Sequence, residues 1–68
     1  MNHVICRRCG GTPLMSKALH ITEAGGWLCF PDAEALAREL EARGDVPGMA
    51  MIRASLLVRD WHGKEWRD

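Results

Sequence analysis

The sequence predicts an α+β fold in which one α-helix, at about residues 33–43, packs on a small antiparallel sheet of about four to five short strands. Three observations lead to this fold class. Apolar residues recur at helical spacing in the middle of the chain, a glycine pair separates two apolar segments before it, and apolar residues alternate after it. A chain of 68 residues is the size of one small domain, so we predict a single domain over residues 1–68.

The helix is predicted by an apolar stripe and by signals at both ends. Four residues fall on one face at about 3.6 residues per turn: Ala33, Leu36, Ala37 and Leu40. Asp32 is a good N-cap residue, and Gly44 suits the left-handed position that ends many helices. Pro47 is expected to prevent the helix from continuing.

A β-hairpin is predicted before the helix. Residues 14–21 and 27–30 are apolar-rich and flank Gly25 and Gly26, which supply the positive φ of a tight turn. A short strand over residues 2–5 precedes them.

The segment over residues 49–61 decides the rest of the fold. Alternate positions carry only apolar side chains: Ala50, Ile52, Ala54, Leu56 and Val58. This alternation fits a strand with one apolar face. Few of these residues are β-branched, and Met49, Ile52 and Leu56 also suit one face of a helix, so a second helix is the alternative. Gly63 then suits a turn into a short edge strand at residues 64–67.

Composition limits the classes of function. The chain has three cysteines, an odd number that cannot all form disulfides within one chain. No export signal and no apolar run of membrane-spanning length is visible. We therefore expect a soluble, cytoplasmic protein that makes no membrane contact. Nine basic and nine acidic side chains give a net charge of zero, which argues against a simple phosphate-gripping surface. No catalytic constellation stands out in so short a chain, so we predict that the protein is not an enzyme.

The segment Cys6-Arg7-Arg8-Cys9-Gly10-Gly11 is the strongest chemical signal in the chain. Two thiols separated by two residues can bind one metal ion, and a following glycine lets the backbone turn toward the sulfurs. The candidate ligands that would complete such a metal site are Cys29 and Asp32, which are also separated by two residues. His20 is the substitute for Asp32 as fourth ligand of a structural zinc ion, and His3 and His62 are more remote.

Two other interpretations of these cysteines stand beside the zinc site. Free cysteine packs as a small apolar side chain, so Cys6 and Cys29 are equally expected in the core. A redox-active dithiol is less favoured, because reactive pairs sit at helix N-termini and the glycines after Cys9 oppose a helix there.

Residues 6–11, which we call the knuckle, are followed by the predicted hairpin and the predicted helix. This order resembles a treble-clef zinc finger over residues 4–43. In that family, a knuckle with two cysteines and the first turn of a helix share one zinc ion. The chain departs from the family pattern at Asp32, where a cysteine or histidine is usual. The resemblance implies a structural zinc ion held by Cys6, Cys9, Cys29 and either Asp32 or His20.

The C-terminal tryptophans are the best sign of a binding surface. Trp61 and Trp66 lie close to Lys64 in a charged segment, and tryptophan is enriched at protein interfaces. The alternative is that one caps the core and the other covers a sheet edge. A strand, an alanine-rich helix, a strand and a terminal hairpin are together similar to some small phage-encoded anti-CRISPR proteins, which implies inhibition by stoichiometric binding.

Two functions are therefore predicted. The first is a non-enzymatic protein-binding module, in the form of a phage or mobile-element inhibitor of a host complex, that acts through Trp61, Trp66 and Lys64. The alternative is a structural zinc-knuckle module that binds nucleic acid through Arg7 and Arg8, with Lys17 adding charge. A protein partner is favoured over nucleic acid, and a homodimer is compatible with either function.

Overall fold

The computed structural model describes residues 2–59 and 61. Its regular elements are β1 (Ala18–Ile21), β2 (Gly26–Cys29), α1 (Phe30–Ala42) and α2 (Val46–Val58). Two short 3-10 helices, Met15–Lys17 and Thr22–Ala24, flank β1. Within the described residues, β1 and β2 form one two-stranded antiparallel sheet, and α1 packs against both this hairpin and α2.

The predicted hairpin is confirmed, with shorter strands. Ala18 pairs with Cys29 and Ile21 pairs with Gly26. Gly25 ends the connecting turn with φ 80°, as predicted, whereas Gly26, with φ 155°, is already the first residue of β2. The hairpin ends where α1 begins, so Cys29 lies at the strand-to-helix junction.

The predicted helix is also confirmed, with an earlier start. Its apolar stripe is the buried face of α1, together with Phe30. The N-cap residue is Cys29, and Asp32 lies in the first helical turn. Asp32 is therefore not the N-cap that the sequence predicts. Gly44 has φ 86°, so the predicted left-handed residue after the helix is present.

The predicted sheet of four to five strands beside one helix is wrong, because residues 46–58 form a second helix. Ile52 and Leu56, one helical turn apart, are the buried residues of α2. Asp45 caps the helix by accepting a hydrogen bond from the Gly48 N–H at 3.1 Å. Pro47 lies in the first turn, where its missing N–H costs no helical hydrogen bond, so it starts a helix rather than merely stopping one.

Two further strand predictions have different outcomes. Residues 2–5 form no strand; His3 makes an isolated antiparallel bridge to Leu14. The predicted edge strand at residues 64–67 lies outside the described residues.

The core lies between the hairpin and the two helices. Its largest fully buried side chains are those of Phe30, Leu28, Leu40 and Cys6. The two helices are also joined at their surface, where the Arg53 guanidinium lies 3.4 Å from Glu34 and 3.5 Å from Glu41. Such exposed pairs contribute little free energy, so apolar burial holds α2 against α1.

The Asp45 cap gives a test of the second helix. Asp45→Ala removes the acceptor for the Gly48 N–H, and we expect it to lower the free energy of unfolding by about 1 kcal/mol. Asp45→Asn is the matched control, because asparagine caps about as well as aspartate. Chemical denaturation followed by circular dichroism measures both variants. An unchanged stability for Asp45→Ala would contradict a capped helix at this position.

Candidate metal centre

Three segments of the chain meet at one point beside the hairpin. The knuckle brings Cys6 and Cys9, the end of β2 brings Cys29, and the first turn of α1 brings Asp32. One ligand atom from each of these residues lies within 4.8 Å of every other. The four side chains are therefore close enough to hold one metal ion.

Backbone hydrogen bonds shape the knuckle. The Cys6 N–H donates to the Gly11 carbonyl at 2.8 Å, and the Gly10 N–H donates to the Cys6 carbonyl at 3.0 Å. Gly10 has φ 76°, a conformation that disfavours any residue with a Cβ atom. The turn brings the Gly11 N–H to 3.4 Å from the Cys9 sulfur. The sequence prediction that the glycines turn an N–H toward a thiol is confirmed.

The junction of β2 and α1 supplies the other two donors. Cys29 and Asp32 are three residues apart across the helix start, so their side chains lie on one side of the first turn. The knuckle is tied to this junction by two hydrogen bonds: the Arg7 N–H donates to the Trp27 carbonyl at 2.9 Å, and the Cys29 N–H donates to the Cys6 sulfur at 3.5 Å.

The separation of two donor sulfurs matches a tetrahedral zinc ion. The Cys6 and Cys29 sulfurs are 3.8 Å apart. Two sulfurs bound tetrahedrally at about 2.3 Å from zinc are separated by about 3.8 Å. The Asp32 Oδ2 atom lies 3.0 Å from the Cys6 sulfur and 3.2 Å from the Cys29 sulfur. These two oxygen–sulfur distances are those of hydrogen bonds, shorter than the roughly 3.5 Å between a sulfur and an oxygen bound tetrahedrally to zinc. The four residues are therefore close enough to hold a metal ion, and their sulfur and oxygen donors are of types that zinc accepts.

The donors differ in their exposure to water. Cys6 is buried, at 1% exposure, and belongs to the apolar core, as the interpretation of core cysteines predicts, and it is also one of the four clustered donors. Cys29 is half-buried and Cys9 is exposed. The cluster thus sits at the edge of the core with one side open to solvent.

The same environment shifts the pKa values of the donors. Burial is the main cause that raises the pKa of Cys29 to about 12, and the neighbouring Asp32 carboxylate adds to it. Burial also acts to raise the pKa of Cys6, but backbone hydrogen bonds to its sulfur outweigh this and lower it. A hydrogen bond from Cys6 lowers the pKa of Asp32. Asp32 is therefore ionised at neutral pH, as a metal ligand must be.

An ion pair fastens the knuckle to α1 beside the cluster. The Arg8 guanidinium lies 2.7 Å from the Glu39 carboxylate. Sequence reasoning missed this pair, because residues 31 positions apart give no local signal of contact. This pairing makes Arg8 less available to an outside phosphate.

The other predicted site residues are not members of the cluster. His20 is on β1, exposed to solvent, and its ring packs edge-on against Trp27 with 5.3 Å between centroids. It is not one of the four clustered residues, whereas Asp32 is. Arg7 and Lys17 are exposed.

Of the residues predicted to bind a protein partner, only Trp61 lies within the described part of the chain. It is 8% exposed and packs against Phe30 with 6.1 Å between ring centroids. This position matches the alternative that one tryptophan caps the core. Lys64, Trp66 and the remote candidate His62 lie outside the described residues.

No protein-family model, curated protein or solved structure matches the chain. Neither the treble-clef nor the anti-CRISPR resemblance therefore gains support from comparison with known proteins. Among the described residues, no helix is both long and apolar enough to cross a membrane.

The left-handed conformation of Gly10 predicts that alanine substitution lowers stability more at Gly10 than at the neighbouring Gly11. Gly10→Ala forces alanine to φ 76° with no clash within 4 Å, so its cost is conformational, about 1 kcal/mol or more. Gly11→Ala is the control, because its Cβ atom would meet the Cys9 sulfur at an ordinary 3.4 Å without positive φ. Denaturation midpoints of the two variants measure the difference. Equal losses would contradict the turn as described.

Proposed function

We propose that this protein is a small zinc-stabilised protein-binding module, in which a structural zinc ion held by Cys6, Cys9, Cys29 and Asp32 fixes the fold. The observation that carries the proposal is the convergence of these four donors within 4.8 Å. The working surface is the outward side of α2, away from the ion.

The donor set favours zinc over other ions. Three thiolates suit soft or borderline metals such as zinc and disfavour magnesium or calcium, which prefer oxygen ligands. Four protein ligands fill a tetrahedral sphere and leave no position for a substrate, which is typical of a structural rather than a catalytic zinc. We therefore propose that the protein has no enzymatic activity.

Zinc would supply what this short chain lacks. A domain of this size buries only about 60% of the surface that its unfolded chain exposes, so it often depends on a staple. The cluster joins distant segments of the chain, since Cys6 and Cys29 are 23 positions apart in the sequence. Zinc binding would hold the knuckle, the hairpin and α1 together, and its binding free energy would become folding free energy.

The arrangement of elements supports a treble-clef-like domain. A knuckle, a two-stranded hairpin and a helix follow one another, and the donors come from the knuckle and the helix start. Asp32 replaces the usual cysteine or histidine. Since Cys29 and not Asp32 is the N-cap, no capping role competes for the Asp32 carboxylate.

A binding role is supported by the exposed apolar surface of α2. Met51, Leu57 and Val58 are 70%, 59% and 84% exposed. Large exposed apolar side chains that cluster on one element mark interaction sites in small soluble proteins. This surface replaces Trp61, Trp66 and Lys64 as the proposed contact region.

The other predicted functions receive less support. The nucleic-acid alternative depends on Arg7, Arg8 and Lys17, and Arg8 is paired with Glu39. The inhibitor role implied by the anti-CRISPR resemblance stays a prediction and is not part of the proposal.

Ligand substitution tests the zinc site. We expect native mass spectrometry to find one zinc per chain in the wild-type protein, and Cys9→Ser and Asp32→Ala to lower zinc affinity by at least about tenfold. Asp32→Cys should retain zinc, because it restores a four-thiolate set.

His20→Ala is the matched control, since it removes the competing candidate for fourth ligand. It should bind zinc like the wild type. Loss of zinc in His20→Ala together with retention of zinc in Asp32→Ala would show that His20, and not Asp32, is the fourth ligand. A protein that stays folded and metal-free in the presence of zinc would refute the proposal.

Proton release gives a second test. The Cys29 pKa of about 12 means that this thiol carries its proton at neutral pH in the metal-free protein. Zinc must displace the proton, so affinity should rise with pH across the neutral range. Calorimetric titration in buffers of different ionisation enthalpy should show release of about one proton or more per zinc. A heat of binding that is independent of the buffer would contradict thiolate coordination.

A further inference from the structure

Cys6, Cys9 and Cys29 are the only cysteines of the chain, and all three belong to the candidate metal centre. All three are free thiols. Their sulfurs lie within 4.8 Å of one another, and those of Cys6 and Cys29 are 3.8 Å apart. Sulfurs this close need only a small movement to reach the S–S bond length of about 2.05 Å. The side chains that can bind a metal ion here can therefore also bond to one another.

The turn of the knuckle makes Cys6 and Cys9 the pair that closes most easily. They are the ends of a turn through residues 7–9, and the Gly10 N–H donates to the Cys6 carbonyl at 3.0 Å across it. Turn residues at this spacing have Cα atoms less than about 7 Å apart, close to the range of about 4.4–6.8 Å that a disulfide bridges. Cys29, in contrast, is paired with Ala18 at the end of β2. A bond between Cys6 and Cys9 thus needs a movement of the knuckle alone.

Exposure to water selects the cysteine that an oxidant meets first. Cys9 is exposed, whereas Cys29 is half-buried and Cys6 is 1% exposed. A sulfur bound to zinc is a thiolate, and thiolate is the form that peroxides oxidise. No helix starts at Cys9 within the described chain, so metal binding and exposure, rather than a helix N-terminus, make this sulfur reactive. The cluster thus offers one accessible thiolate with a second sulfur beside it.

We propose that the metal centre is also a redox switch, in which a hydroperoxide oxidises Cys9, Cys6 closes a disulfide with it, and the zinc ion is released. The inference rests on the proposed zinc site and names the regulation of that site. An exposed sulfur next to a second cysteine that resolves it is the arrangement common to redox-sensor sites.

The reaction balances with hydrogen peroxide as the oxidant. The Cys9 thiolate attacks one peroxide oxygen, so an S–O bond forms, the O–O bond breaks and hydroxide leaves. The Cys6 thiolate then attacks the Cys9 sulfur, so the S–S bond forms, the S–O bond breaks and a second hydroxide leaves. Each hydroxide takes up a proton from the solution and becomes water. The sulfurs lose two electrons in all, and these reduce the peroxide to two water molecules.

The disulfide and zinc exclude each other. Cys6 and Cys9 supply two of the four donors, and a disulfide sulfur is no longer the thiolate that zinc binds. Cys29 and Asp32 remain, which are too few protein ligands for a structural zinc site. Because the free energy of zinc binding is folding free energy, release of zinc lowers stability, and a dithiol reductant reverses the change. Since α2 contributes no donor, oxidation acts on the binding surface only through the stability of the scaffold.

Oxidation of the zinc-loaded full chain tests the proposal. One equivalent of hydrogen peroxide should release about one zinc per chain, measured with a chromogenic chelator. Alkylation of free thiols, proteolysis and mass spectrometry should then find a disulfide between Cys6 and Cys9 and an alkylated Cys29. A mass lower by two hydrogens identifies the disulfide, whereas methionine oxidation adds an oxygen. Dithiothreitol with added zinc should restore the loaded protein.

Two histidine substitutions form a matched pair, because zinc accepts histidine in place of cysteine and histidine forms no disulfide. Cys9→His should keep its zinc in peroxide, with release slowed by about tenfold or more. Cys29→His should still join Cys6 to Cys9 and lose zinc like the wild type. Circular dichroism and zinc content before oxidation identify a variant that fails to fold, and the disulfide map of the wild type then decides the proposal.

The failures are distinguishable. A chain that binds no zinc refutes the proposed metal centre, and the switch with it. A chain that binds zinc and, after peroxide, keeps it with all its thiols free overturns only the switch. A wild-type map that places Cys29 in the disulfide, or that shows Cys9 as sulfinic acid without a disulfide, also overturns the switch and leaves the metal centre intact.

Discussion

The convergence of four donor side chains is the constraint on which the rest of this small structure depends. The knuckle contains little regular structure. Its position beside α1 is set by the buried Cys6 and by two hydrogen bonds to β2, and the exposed ion pair of Arg8 with Glu39 adds little free energy. The knuckle, the hairpin and the start of α1 all place a donor at the same point, which is the arrangement that one zinc ion stabilises.

This constraint separates the two parts of the molecule. The donors occupy the side where the hairpin meets α1, and α2 contributes none of them. Helix α2 is attached through the buried Ile52 and Leu56, and its outer side is exposed within the described chain. A stabilising centre on one side and an unpartnered apolar helix face on the other are what a binding module needs: a fixed scaffold and a free surface.

The sequence predicted the elements whose local signals agree and failed where they do not. The hairpin and α1 follow from glycine turns, an apolar stripe and Gly44, all of which are local. The strand predicted over residues 49–61 was wrong and the alternative, a second helix, was correct, because most side chains there are apolar and a period of two and a helical period fit equally well. The cap at Asp45 was the available signal for a helix. The choice of Asp32 over His20 depends on which strand positions face the knuckle, and this is a tertiary property that residue spacing alone does not contain.

The central claim is that three sulfurs and one carboxylate oxygen surround a single zinc ion. X-ray absorption at the zinc edge of the loaded protein measures this coordination directly. The account predicts three sulfur neighbours at about 2.3 Å and one oxygen neighbour at about 2.0 Å. A spectrum with histidine nitrogen in place of the oxygen, with only two sulfurs, or with a shell of water oxygens would contradict the ligand set and with it the proposed role of Asp32.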